Sequence, residues 1–195
     1  MLKRLFDVGV SLAGLIVLSP ILLILALWVN LSSEGPIFYR STRVGRGGAE
    51  FKLLKFRSMV INADKLGPAV TGARDPRITS VGRVLRRTKL DELPQLWNVL
   101  VGEMSVVGPR PEAPKYVAYY TPEQREVLRV RPGITSPASV KYRNEEAILT
   151  GDDWEALYIR EVMPAKLAID LDYARSASLL KDIQIILQTF LALFR

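Results

Sequence analysis

The sequence predicts an α+β fold that is mainly helical, with a small β-hairpin and an N-terminal membrane segment of helix–break–helix type that enters the bilayer and turns back. Three observations predict it: an uncharged apolar run from Val8 to Leu31, a change to strand periodicity between Pro36 and Met59, and helix-start and helix-stop residues through most of the chain beyond Met59. At 195 residues the chain is long enough for one compact domain and short for two. It reads as one functional unit, with 1–35 the membrane segment and 36–195 a domain at the cytoplasmic face.

The apolar run comes first. A straight helix over its length would reach about 36 Å, against a hydrocarbon core of about 30 Å. A secretory signal peptide is the poorer reading, because the run is longer than a signal core and no small-x-small cleavage pattern follows it. Ser19-Pro20 divides the run into two equal arms of about 16 Å, each half the core thickness. Proline removes a helical N–H, and the serine hydroxyl can serve a carbonyl that the break releases, so a bend is expected there. Lys3 and Arg4 precede the run; Arg40, Arg43, Arg46, Lys52, Lys55 and Arg57 follow it. Basic residues at both ends are the cytoplasmic signature twice over. A re-entrant hairpin satisfies both ends, and a kinked spanning helix is the alternative.

Beyond the membrane segment, Ile37-Phe38-Tyr39 and Phe51 to Phe56 flank Gly45-Arg46-Gly47-Gly48, the signal of a hairpin with a glycine-rich turn. Asn62 to Thr79 reads as a loop or mobile segment after a short helix. Arg83 to Arg87 and Pro94 to Leu100 read as helices, and Gly108-Pro109-Arg110-Pro111 and Arg131-Pro132-Gly133 as rigid loops. Thr121 to Arg129 is expected to be a helix, with Pro122 at its first position and Thr121 and Gln124 forming a capping box. A short helix is expected over Asp152 to Glu161, and a last one begins near Ser176. In that last helix Leu179, Leu180, Ile183, Ile186, Leu187, Phe190, Leu191 and Phe194 form one apolar stripe, fit either for the core or for a membrane interface.

Composition limits the chemistry. There is no cysteine and no histidine, which removes disulfides, thiolate catalysis and the usual general base. Lys and Arg number 27 against 20 Asp and Glu, with 49% hydrophobic residues. Of the net +7, +5 lies in residues 1–60, around the apolar run. A membrane surface, a nucleic acid or a phosphorylated substrate would suit such a charge.

The most informative acids are Asp91 and Glu92, in Leu90-Asp91-Glu92-Leu93-Pro94-Gln95-Leu96, just after Arg83, Arg86, Arg87 and Lys89. One reading makes Asp91 a helix cap and the arginines a solvated face. The other has cations hold phosphate while a carboxylate binds Mg²⁺ or attacks phosphorus, chemistry that needs neither His nor Cys. Arg110, set between two prolines, is either a rigid exposed turn or a preset fork for phosphate. Arg131 and Arg143 are weaker forms of the same signal, and Lys55 and Arg57 add a basic element at the end of the hairpin. No Walker A loop and no Rossmann fingerprint is present.

Five motifs in order carry a resemblance across essentially the whole chain: the apolar segment with Ser19-Pro20, Lys55-Phe56-Arg57-Ser58-Met59, Leu90 to Leu100, Gly102-Glu103-Met104-Ser105-Val106-Val107-Gly108-Pro109-Arg110-Pro111, and Arg131-Pro132-Gly133-Ile134-Thr135. Together they resemble the bacterial sugar transferase family, the monotopic phosphoglycosyl transferases or polyprenyl-phosphate sugar phosphotransferases. The resemblance implies transfer of a sugar-1-phosphate from a UDP-sugar to a polyprenyl phosphate such as undecaprenyl phosphate, with release of UMP. This is the first membrane step of envelope glycan synthesis, carried out at the cytoplasmic face of the inner membrane. It further implies Asp91 as nucleophile and Mg²⁺ ligand, through a phosphosugar-aspartyl intermediate, with Glu92 in proton handling or positioning. Arg110 would grip the donor phosphate, Arg86 and Lys55 or Arg57 the lipid phosphate, and Arg143 the nucleotide side.

Two departures stand out. Ser136-Pro137-Ala138-Ser139-Val140 replaces the glycine that follows the fifth motif in many members, an expected mark of sugar choice. The sequence also starts at the membrane segment, as expected of a minimal catalytic form. A membrane-tethered basic module binding anionic lipid or nucleic acid is the non-enzymatic alternative, but it gives no reason for an acidic pair beside the arginines. The expected partners are UDP-sugar, polyprenyl phosphate and membrane lipid, with no nucleic acid; a homo-oligomer is compatible.

Overall fold

The computed structural model describes residues 1–72, 75–150 and 153–193. Its first two helices, α1 (Leu2–Val17) and α2 (Ser19–Ser32), meet at Leu18 with a bend of 63°. Pro20 stands in the first turn of α2, and the Ser19 hydroxyl donates to Ile16 O at 2.8 Å, the carbonyl service expected at the break. Among the described residues no single helix is long and apolar enough to cross a membrane; the bent pair together is, by length and composition.

The burial pattern of α1 is inverted. Asp7 and Ser11 are buried, while Leu2, Leu5, Ile16 and Val17 are exposed. Lys3, Asp7 and Ser11 recur every four residues and form one ridge. Asp7 accepts from the Ser105 hydroxyl and from Val106 N, Lys3 Nζ donates to Val107 O at 3.1 Å and to Asp182 at 2.6 Å, and Arg4 donates to Val99 O and Leu100 O. The two basic residues that precede the apolar run are therefore bound within the protein. Helix α2 buries Leu25 and Val29 in a cluster with Phe56, Val81 and Leu85 and leaves Leu23, Ile24, Leu27 and Leu31 outside.

The hairpin pairs β1 (Phe38–Val44) with β2 (Glu50–Phe56), from Phe38 opposite Phe56 to Val44 opposite Glu50. Its turn closes with Gly45 N donating to Ala49 O, and positive φ at Gly47 and Gly48 explains the glycines. After β2 come the single turn α3 (Ala63–Leu66) and an irregular stretch that holds the buried Asp75–Arg77 ion pair. Helix α4 (Ser80–Thr88) is capped by the Thr79 hydroxyl and ends at Lys89 in the left-handed region. A 3₁₀ turn over Leu90–Glu92 leads into α5 (Gln95–Val101).

A second two-stranded sheet departs from the sequence expectation. β3 (Ser105–Val107) and β4 (Gly133–Thr135), neither marked as a strand in the sequence, pair in parallel, one just ahead of the Gly108–Pro111 loop and the other starting at the last residue of the Arg131–Gly133 loop. Between them lie α6 (Pro114–Val117) and a 3₁₀ stretch over Gln124–Arg129. The capping box there is present, with Thr121 N donating to Gln124 Oε1 and Gln124 N to Thr121 Oγ1, but the segment it starts is 3₁₀, not an α-helix.

The remaining helices are α7 (Pro137–Lys141), α8 (Glu145–Ile148), α9 (Trp154–Leu157), α10 (Met163–Ser176) and α11 (Leu179–Leu193), with a π turn at Tyr158–Val162 joining α9 to α10. Asp152, the expected start of α9, lies outside the described residues. Helix α10 carries no signal in the sequence reading. Most of the α11 stripe faces outward: Leu180, Ile183, Leu187, Phe190 and Leu191 are exposed, Ile186 is half-buried against Val107, Tyr173 and Ile185, and Asp182 and Ile185 face the interior. The core-facing reading therefore fails for most of the stripe, because the inward side of α11 is fixed by the Lys3–Asp182–Tyr173 cluster and by Ile185, not by the leucines. Phe194 lies outside the described residues.

Candidate active site

The site forms where three chain segments meet: the end of β2, the 3₁₀ turn before α5, and the loop after β3. Asn98 ties the first two together, since its side-chain amide accepts from Leu54 N and donates to Lys52 O, each at 2.9 Å. That bond pattern places Lys55, at the end of β2, beside Glu92. The Lys55 ammonium donates to Glu92 Oε1 at 2.8 Å, and Arg110 grips the same carboxylate with both terminal nitrogens, at 2.5 and 3.2 Å.

Arg110 is aimed from its backbone as well as from its prolines. Asp170, buried on α10, accepts from Arg110 N and from Ala138 N, joining the loop after β3 to the start of α7. Burial raises the Asp170 carboxyl to about 6 despite these bonds. No sequence signal marks Asp170, because the helix that carries it has no amphipathic pattern.

Asp91 is 3% exposed, and among the described residues no hydrogen bond or ion pair engages its carboxylate. Its neighbours by charge are Lys55, Glu92, Arg86 and Lys89. Burial raises its pKa against the pull of Lys55, and the negative charge of Glu92 adds to the rise. Burial also works on Glu92, but Arg110 and then Lys55 overcome it and hold that carboxyl well below the usual range. Lys55 is lowered, chiefly by burial, and Arg110 is raised, chiefly by Glu92. The two acids are thus differentiated: Glu92 is a fixed anion that orders two cations, and Asp91 is a buried carboxylate left unengaged. Asp91 caps no helix, so the cap reading fails, whereas Arg83, Arg87 and Lys89 are exposed as the solvated-face reading expects.

The other expected phosphate ligands are distributed unevenly. Arg86 lies near Asp91, with its guanidinium held by Glu146 of α8 at 2.5 Å. Arg143 is half-buried three residues ahead of Glu146, in the turn between α7 and α8. Arg57 is not brought to the pair. It is buried at the end of α2, donating to Val29 O, Ser33 O, the Ser33 hydroxyl and Pro36 O, where a helix C-terminus presents unpaired carbonyls. Arg131 is not brought there either: its Nε donates to Gly102 O, at the opposite end of α5 from Asp91. Both placements are long-range services to helix ends, invisible to local sequence reading.

A divalent cation fits this donor set in one way. Among the described residues no three acidic side chains come together to form a cage. Glu92 is committed to its cations, so Asp91 alone is free to ligate. Mg²⁺ is commonly held by one or two carboxylates with substrate phosphates and water completing the shell, which Asp91 beside a diphosphate would satisfy.

Comparison with known proteins gives a consistent result. The sequence model of the family described as bacterial sugar transferase matches residues 1–195. The chain is 41% identical to a UDP-glucose:undecaprenyl-phosphate glucose-1-phosphate transferase of Caulobacter vibrioides over 96% of its own length and 67% of the relative's. It is also 41% identical to a protein of the same name from Escherichia coli, over 100% of its length but 40% of the relative's. An exopolysaccharide production protein of Rhizobium leguminosarum bv. phaseoli is 42% identical, with 96% and 92% covered.

Proposed function

Because the chain belongs to the bacterial sugar transferase family, we propose that it moves a sugar-1-phosphate from a UDP-sugar to undecaprenyl phosphate and releases UMP. The observation that carries the mechanism is the contrast within the acidic pair: a buried, unengaged Asp91 next to a Glu92 that holds Lys55 and Arg110 in place.

In the first step an Asp91 oxygen attacks the phosphorus that bears the sugar. The bond from that phosphorus to the UMP oxygen breaks, and UMP leaves with the electron pair. In the second step an oxygen of the lipid phosphate attacks the same phosphorus, and the Asp91 carboxylate leaves. Neither displacement needs a proton to be removed first, which suits a site without histidine. Lys55, Arg110 and Arg86 offset the charge on the transferring group and its neighbours. Mg²⁺, when bound, supplies further neutralisation of phosphate charge, with Asp91 as its protein ligand.

The test is direct. Detergent-solubilised protein with Mg²⁺, undecaprenyl phosphate and a panel of UDP-sugars is expected to release UMP, with UDP-glucose the first donor to try given the relatives' names. A panel without UMP release refutes the reading.

The same proposal places the protein at the cytoplasmic face of the inner membrane, with α1 and α2 forming a re-entrant hairpin. An inverted α1, an α2 with exposed leucines and an α11 with five exposed large apolar residues make little sense in water and are suited to lipid. Since the chain has no cysteine, single cysteines introduced at Met1 and Gly47 give an uncluttered reading. Both are expected to react with an impermeant maleimide from the cytoplasmic side only; labelling from opposite sides would make the segment a spanning helix.

A further inference from the structure

Glu146 reaches the site from outside the three segments that form it. Its Oε1 accepts from Arg86 Nε at 3.1 Å and from Arg86 Nη2 at 2.5 Å, so a single oxygen takes the side edge of the guanidinium. Two of the five N–H donors of the arginine are used in this way. Nη1 has no hydrogen-bond partner among the described residues, and the Arg86 side chain is 20% exposed. The outer edge of the fork therefore stays open, and Arg86 is close enough to Asp91 to pull on its carboxylate. Glu146 itself stands on a fixed platform. The preceding Glu145 pairs with the buried Lys166 of α10 at 2.5 Å. Leu149, 1% exposed, closes the single turn of α8 by donating from its N to Glu145 O, and it packs into the cluster that holds Tyr116, Tyr158 and Leu167. With both neighbours anchored, the carboxylate between them is held against α4.

We propose that Glu146 is a positioning residue for Arg86: it fixes the side edge of the guanidinium so that the outer edge is presented to a substrate phosphate beside Asp91. The inference rests on the transferase reading above. A free arginine has wide rotamer freedom, which a phosphate would have to freeze on binding. A guanidinium already held by Glu146 meets the phosphate in place. Charge alone makes the opposite prediction. The Glu146 carboxylate offsets part of the Arg86 charge, so its removal would draw an anionic substrate more strongly if orientation did not matter. The sign of the change in KM therefore separates the two accounts. The pair is also ill suited to a purely structural role, because the Glu146 side chain is 41% exposed and such pairs add little to stability.

Glu146→Ala in the full chain is expected to raise the KM for one phosphate substrate about twofold to tenfold, the range for immobilising one long side chain, with kcat little changed. Titrating the UDP-sugar donor and undecaprenyl phosphate separately shows which phosphate Arg86 receives. Glu146→Gln keeps the accepting oxygen and should recover most of the lost affinity. The melting temperature of Glu146→Ala should stay within about 4 °C of the parent, as for loss of a partly exposed pair. Glu161→Ala removes the same charge from the exposed ion pair with Arg160 and should leave both KM values unchanged. The positioning role is overturned by KM values for both substrates that stay level or fall in Glu146→Ala, or by a Glu146→Gln no better than Glu146→Ala. An equal rise in Glu161→Ala, or a rise that comes with a larger loss of melting temperature, overturns it as well. Each of these leaves the transferase reading standing, whereas a parent protein that releases no UMP overturns both.

Discussion

Asp91→Asn is expected to abolish UMP release while leaving the fold as stable as before or more so. Asparagine keeps the shape but is no nucleophile, and loss of a covalent catalyst costs about a thousandfold or more. The stability half comes from the sign of the pKa shift. Burial raises the folded-state pKa of Asp91 above its ordinary 3.8, so the folded protein holds the proton more tightly than the unfolded chain. Ionisation of Asp91 thus destabilises the fold progressively as pH rises from the unfolded value through the folded one, and asparagine removes that penalty at neutral pH. Glu92, whose carboxyl is held low, has the opposite sign: its contribution is present above its unfolded value and is lost in acid. A pH–rate profile of the parent should accordingly show its acid limb above the ordinary aspartate range. UMP release surviving in Asp91→Asn, or an acid limb at or below 3.8, would remove Asp91 as nucleophile.

The second large effect concerns the glycines of the two proline-rich motifs. A methyl group on Gly108 would lie 2.3 Å from Arg131 O, and one on Gly133 would lie 2.0 Å from Gly108 N. The two glycines face each other across the β3–β4 pair, where Gly108 N donates to Thr135 O and Gly133 N to Pro109 O. Backbone cannot step aside as a side chain can. Gly108→Ala and Gly133→Ala should each cost about 3 kcal/mol or more, at the severe end of overpacking, and should displace Arg110 from Glu92 with loss of activity. Gly47→Ala is the control: it has open space around it and a φ of 70°, so only the backbone preference of about 1 kcal/mol is lost. Denaturant unfolding in detergent measures all three, and equal costs would refute the close-approach account.

How much of the fold and the site is legible in the sequence depends on how local the physics is. The break at Ser19-Pro20, the hairpin turn and the Thr121–Gln124 capping box are set by neighbours in the chain, and all three are present. The β3–β4 pair is not local: each strand is three residues long and its partner comes from the other proline-rich motif, so neither is read as a strand. Helix α10 escapes notice for a different reason. Lys166, Leu167, Asp170, Leu171 and Tyr173 are all buried, so charged and apolar residues share its interior positions and no amphipathic period emerges. At the site, Lys55, Glu92 and Arg110 come together from separate motifs, and Arg86 lies near them. Arg57 and, more weakly, Arg131 are marked for phosphate in the sequence, yet each serves the carbonyls of a distant helix end. What the pattern of arginines lacks is any record of which backbone groups need donors.

The ridge on α1 has a bearing on how the molecule is made. Asp7 completes the hydrogen bonding of Ser105 and Val106, Lys3 reaches Val107 O and the fully buried Asp182, and Arg4 takes up the last carbonyls of α5. These groups belong to the layer on which Asp91 and Arg110 are mounted. Until α1 is docked they are buried and unpaired, or exposed and misplaced. Docking of α1 and maturation of the catalytic layer are therefore thermodynamically linked steps, each stabilising the other.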